Sequence, residues 1–140
     1  MSGTALTAEQ VQAIFDRSPF ISFMNLHVIS VDLERQELTV RAPMRAEFER
    51  AAGSGQWHGG PIAALIDTVG DFALAMLIGH PLPTVNFRVD YLRPAIKTHL
   101  IAVARVRRIG RSVGTADVDV TDEKGVLLAI GRATYATASG

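Results

Sequence analysis

Cysteine is absent from the 140 residues, which excludes disulfide frameworks, cysteine-ligated zinc and thiol nucleophiles at once. Net charge is also lacking: 14 Lys and Arg balance 14 Asp and Glu. No global field therefore draws nucleic acid or an anionic membrane, although a local basic patch can still take a small phosphorylated ligand. The opening "MSGTALTAEQ" has neither a basic region nor an apolar one, so no secretory signal is read and a cytoplasmic location is expected. His27, His80 and His99 show no metal-ligand spacing, and no metal or redox cofactor is expected. The longest apolar run, Pro61 to Ile78, holds Asp67 and Asp71 mid-way. In a bilayer these would cost roughly 2.5–3.5 kcal/mol each, and a membrane span is rejected.

With no repeat and no low-complexity linker, the chain reads as one domain of residues 1–140, long enough to bury a core. "TAEQVQAIFDRSP" predicts a helix with Thr7 as N-cap and Gln10 closing a capping box. Val11, Ile14 and Phe15 form its apolar stripe, and Pro19 stops it. "NLHVISVDL" and "ELTVRAP" predict a β-hairpin. Residues 44–57 follow as a loop in which Gly53, Ser54 and Gly55 suggest flexibility. A long helix then opens at His58-Gly59-Gly60-Pro61, since proline suits a first turn that has no use for its missing N–H. It ends near Gly79. Four more strands, "TVNFRVDYL", "HLIAVARVRRI", "SVGTADVDVT" and "VLLAIGRATYAT", are expected to form a meander, because sequential strands usually pair.

The long helix is apolar almost all round, so it must be surrounded. A strongly curved antiparallel sheet of about six strands wrapped around it meets that demand, an α+β architecture. Such a sheet leaves edge strands and part of the helix open, which points to dimerisation. Two carboxylates inside such a helix are costly unless paired, neutralised or used.

The run "HGGPIAALIDTVGDFALA", then "TVNFRVDYLRPA", then "RRIGRSVGTADVDVTDEKGVLLAIGRATY" resembles the hotdog-fold thioesterases of the phenylacetic-acid-degradation type, from residue 25 to the last strand. The resemblance implies a hotdog fold, hydrolysis of acyl-CoA thioesters, no cofactor, and a site built across a homodimer, with a dimer of dimers common. By matching position it places the oxyanion amide on Gly59, next to Gly60, and the catalytic carboxylate on Asp67. Asp67 would act as general base or as nucleophile.

Physical chemistry supports those assignments. A helix N-terminus offers free N–H groups and a positive dipole end, and glycine lets substrate approach the backbone. Eight residues of helix cover about 12 Å, so Gly59 and Asp67 of one chain cannot share one small thioester carbon. The resemblance resolves this by pairing Gly59 of one subunit with Asp67 of its neighbour. Asp71, at i+4, shares a face with Asp67, and repulsion between them would raise at least one pKa. It either tunes and orients Asp67, bonds across the dimer as part of the binding region, or is structural. Thr84 matches the position of a hydroxyl beside the carboxylate, and His58 either braces the loop or donates to the thioester oxygen.

Relatives commonly place Asn or Gln shortly ahead of the histidine, where this chain has alanine flanked by Arg50 and Gln56, either of which can substitute. For coenzyme A phosphates the candidates are Arg108, Arg111 and Ser112 at the Gly110 turn, with Arg88, Arg93 and Lys97 in reserve. Arg105 should face Asp117 in an ordinary cross-strand ion pair. Phe48, Trp57, Phe72 and Met76 either line an apolar pocket or fill core. Two rivals remain open here. A non-catalytic acyl-CoA or aromatic-ligand binding protein would have no need of Asp67, and the motif of a hotdog hydratase is not found.

Overall fold

The computed structural model describes residues 4–138; residues 1–3 and 139–140, part of the expected single domain, lie outside the described residues. Helix α1 spans Ala8–Arg17 and carries the expected capping box, Thr7 and Gln10 exchanging side chain-to-backbone bonds of 2.9 and 3.1 Å. Val11 and Phe15 are buried, and the Phe15 ring meets Phe72 edge-on at 4.9 Å. Helix α1 ends at Arg17, short of Pro19 as expected, and Pro19 then starts a second short helix that the sequence reading does not include, α2, Pro19–Met24. Ser18 breaks α1 and caps α2, and proline fits the first turn because that turn wastes no N–H.

The hairpin is present as β1, His27–Asp32, and β2, Glu37–Ala42. Gln12 of α1 bonds Leu26 O and Val28 N at 3.0 and 2.7 Å, so its amide acts as a strand partner at the sheet edge. The loop that follows is not slack. Glu49 accepts from Gly53 N–H and Gly55 N–H at 3.2 and 2.6 Å, and Trp57 donates its indole N–H to Thr98 O at 2.8 Å. Its glycines supply positive φ for a tied turn rather than mobility.

Helix α3, Gly59–Ile78, is capped by His58 and closed by Gly79 at φ 109°, a left-handed position that favours glycine. By length and composition α3 could cross a membrane, but 67% of its apolar window is buried within the fold. Strands β3 (Thr84–Tyr91), β4 (Leu100–Ile109), β5 (Val113–Thr121) and β6 (Leu127–Ala136) complete a six-stranded sheet in the order β1-β2-β4-β5-β6-β3. This is the hotdog arrangement the resemblance implies, an antiparallel sheet packed on a long central helix.

One expectation needs correction. Strands β4, β5 and β6 form a meander, but β3 pairs with β6 at the far edge instead of with its neighbour β4. The connector of residues 92–99 has only to cross three inter-strand gaps of about 4.8 Å, well within its extended reach. Alternation along β5 buries Gly114, Ala116, Val118 and Val120 against the core. On β6, Gly131 exists to let α3 close in: a Cβ there would lie 2.5 Å from Ile66 Cγ2 and 3.0 Å from Arg88 O. Gly131→Ala is therefore expected to cost about 1–3 kcal/mol through overpacking, measurable as a fall in denaturation midpoint.

Candidate active site

Helix α3 is buried on nearly every side. Gly60, Ala63, Ala64, Asp67 and Asp71, spaced one turn apart, form the line that the sheet leaves partly open. The two carboxylates thus sit where the helix is uncovered, which is why an apolar core tolerates them.

Asp67 is held from two directions. Its Oδ1 accepts the Thr84 hydroxyl at 2.7 Å, and its main-chain oxygen accepts the Tyr135 hydroxyl at 2.6 Å. Thr84 and Tyr135 are cross-strand partners of β3 and β6, so one rung of the sheet grips the residue by side chain and backbone. Tyr135 reaches in because Gly70 lacks a side chain; a Cβ there would stand 2.5 Å from its hydroxyl oxygen. Burial, with Asp67 and Asp71 close by, raises the Tyr135 pKa, so this phenol remains a donor.

Asp71 accepts the Leu82 N–H at 2.9 Å, tying α3 to the segment that leads into β3. Its pKa is pushed up to about 7, chiefly by burial, against the lowering effect of the Leu82 bond and with Asp67 adding a smaller push. The sequence anticipates the direction but credits repulsion, whereas desolvation dominates.

At the other end of the open line, His58 Nδ1 accepts Gly60 N–H at 3.1 Å, which leaves Nε2–H as the free donor of a neutral imidazole. The Gly59 N–H has no partner among the described residues, and Gly59 O accepts the Tyr91 hydroxyl at 2.7 Å. This tip opens into a cleft of ≈ 390 Å³ whose walls include Arg50, Gln56, His58, Gly59, Tyr91 and Arg93. Trp57 and Ile62 form its floor from the core side. Phe48, Phe72 and Met76 are core residues and do not line it.

Six of the expected residues thus meet in one cleft, Arg50, Gln56, Trp57, His58, Gly59 and Arg93, while Asp67 meets Thr84 two turns along the same helix. Others lie elsewhere. Arg88 is on the outer face of the sheet, paired with Asp90 at 2.9 Å. Arg108, near the end of β4, and Arg111 and Ser112, in the β4–β5 turn, are exposed. Gly114, just past that turn, packs on Leu74, so within one chain it lies toward the C-terminal half of α3. Arg105 does face Asp117 in register but bonds Glu37 at 2.8 Å; Asp117 is held by Arg132 at 2.6 Å, which lowers its pKa. Among the described residues no cluster of His, Asp and Glu could hold a metal ion.

Tyr91 and Tyr135 escape sequence reasoning because strand tyrosines look like packing. A glycine inside an apolar helix, Gly70, is the signal that a bulky group approaches there.

The arrangement divides into an electrophilic half, an unpaired amide and an imidazole N–H at a positive helix end, and a basic half, a carboxylate steadied by a hydroxyl. A carbonyl compound attacked by water is what such halves serve. The family described as the thioesterase superfamily matches residues 54–129. The chain is 32% identical over 111 residues to acyl-coenzyme A thioesterase 13 of Mus musculus, covering 73% of this chain and 79% of that protein. A crystal structure of a thioesterase superfamily protein superposes with a TM-score of 0.86 at 34% identity, over 92% of this chain and 96% of the other. The PaaI protein of the Escherichia coli phenylacetic acid degradation operon shares the fold, with a TM-score of 0.77 at 22% identity, over 94% and 93% of the two chains.

Proposed function

The chain belongs to the thioesterase superfamily and is a thioester hydrolase, and from that premise we propose that it cleaves short- or medium-chain or aryl acyl-CoA thioesters at a site shared by two subunits. The observation that carries this reading is the division of one open helix line into two incomplete halves. Gly59 and Asp67 stand eight residues apart, about 12 Å along α3, too far for one thioester carbon. A two-fold axis beside that line brings the tip of one α3 to Asp67 of the other and makes both sites whole. The surface is suited to such pairing: β3 is a sheet edge on which Val85 is 59%, Phe87 39% and Tyr91 53% exposed.

In this assembly the thioester oxygen lies at the Gly59 N–H with His58 Nε2–H beside it. These donors stabilise the charge that develops when water, or Asp67 itself, attacks. Thr84 keeps the carboxylate aimed. The thiolate of coenzyme A then leaves along the cleft, where Arg50 and Arg93 meet its phosphates. Antiparallel α3 helices also bring the partner's β4–β5 turn, with Arg108 and Arg111, past the same tip.

The test is a panel of acyl-CoA esters assayed for free thiol, with binding followed in parallel. Turnover of short-to-medium or aryl esters is expected. Tight binding of the whole panel with no thiol released would identify a non-catalytic binding protein and end the proposal.

A further inference from the structure

Asp71 is a half-buried carboxylate that the reaction does not use, and it accepts the Leu82 N–H from the segment that leads into β3. We propose that Asp71 is a positioning residue for the hydrolytic step: by holding the Leu82 amide it sets where β3 begins, and so holds the Thr84 hydroxyl against Asp67. The inference rests on the function proposed above for Asp67.

The linkage is short and stiff. From Leu82, whose amide is bound by Asp71 at 2.9 Å, to Thr84, whose hydroxyl binds Asp67 at 2.7 Å, there is one intervening residue, Pro83. Leu82 itself is buried, 6% exposed, and Pro83 O accepts the Ala136 N–H at 2.9 Å. Two prolines, Pro81 and Pro83, restrict the segment further. A displacement of the Leu82 amide therefore passes to Thr84 instead of dissipating in a loop. Both ends of the linkage stand on α3 one turn apart, so the helix and the strand entry form a closed loop of contacts.

The groups facing Asp71 are Asp67 from its own helix, the Tyr135 hydroxyl from β6 and the Leu82 N–H. Among the described residues neither carboxylate has a cationic partner. An ionised Asp71 is the stronger acceptor for the Leu82 N–H and so holds the strand entry more firmly. The rate should therefore rise as Asp71 loses its proton, in the region of pH 7.

The experiment compares the parent with Asp71→Asn and Asp71→Ala. Asparagine keeps an acceptor for Leu82 and removes the titration; alanine removes both. For acyl-CoA turnover between pH 5 and 9, the parent kcat should show a rise near neutrality that Asp71→Asn lacks. Asp71→Ala should lose about tenfold in kcat with KM little changed, a loss that asparagine largely restores. In parallel, the backbone amide signals of Leu82 and Thr84 are followed by nuclear magnetic resonance. Both should titrate together near pH 7 in the parent and stay flat in Asp71→Asn. If Leu82 titrates while Thr84 does not, or if Asp71→Ala keeps parental kcat, the positioning role is wrong. If both amides titrate but no acyl-CoA is turned over, the linkage stands and the proposed function falls.

Discussion

Asp67→Asn is expected to lower kcat at least about a hundredfold while leaving the protein folded and its affinity for acyl-CoA nearly unchanged. The substitution is close to isosteric. The asparagine oxygen can still accept the Thr84 hydroxyl, which now bonds Oδ1 at 2.7 Å, and the Tyr135 bond goes to the main-chain oxygen, which no side-chain change removes. What disappears is the negative charge, and with it the capacity either to take a proton from water or to attack the thioester. Because both chemical roles need that charge, the loss is expected whichever one operates. Thermal unfolding close to that of the parent separates this result from misfolding. Parental turnover in the mutant would remove Asp67 from the chemistry.

Much of the architecture was legible in residue patterns, and the failures have definite causes. Capping at Thr7 and Gln10, the opening at His58-Gly59-Gly60-Pro61 and the alternation of Gly114, Ala116, Val118 and Val120 are local signals that tertiary structure had no reason to override. The place of β3 is not local. Its period of two would look the same beside β4 or beside β6, and only the packing of the whole sheet around α3 selects the edge. The second helix is hidden because Pro19 signals the stop of α1, while Ser18 and Pro19 together also make a start.

The geometry of the candidate site was legible to a similar depth. Asp67 with Thr84 is a pair that only the family resemblance places together, and His58 with Gly59 are chain neighbours at the helix start. In the loop before His58, Gly53 and Gly55 suggest freedom, while the residue that ties both amides, Glu49, looks like any surface carboxylate. Arg88 and the turn at Arg108 and Arg111 were recognisable as cationic, but which face of a sheet or which end of a helix they reach depends on long-range packing. Arg88 turns outward to Asp90 for that reason.

Gly59→Pro is expected to cost about a hundredfold to a thousandfold in kcat, the loss typical of one oxyanion donor. Proline removes the N–H that the proposed reaction needs and little else. Gly59 is the first residue of α3, where proline's fixed φ is suited to the helix, and His58 already has the extended backbone, φ −68° and ψ 150°, that a following proline demands. The new Cβ would approach the Tyr91 ring at 3.3 Å, but that ring is more than half exposed and can give way. Mixing this variant with Asp67→Asn then tests the shared site directly. A heterodimer of the two would join the intact Gly59 of one chain to the intact Asp67 of the other, restoring one of its two sites. With random reassortment the mixture should recover about a quarter of parental activity from two nearly inactive proteins, since half the dimers are mixed. Sites contained within single chains would give no recovery, because every chain then carries a defect of its own.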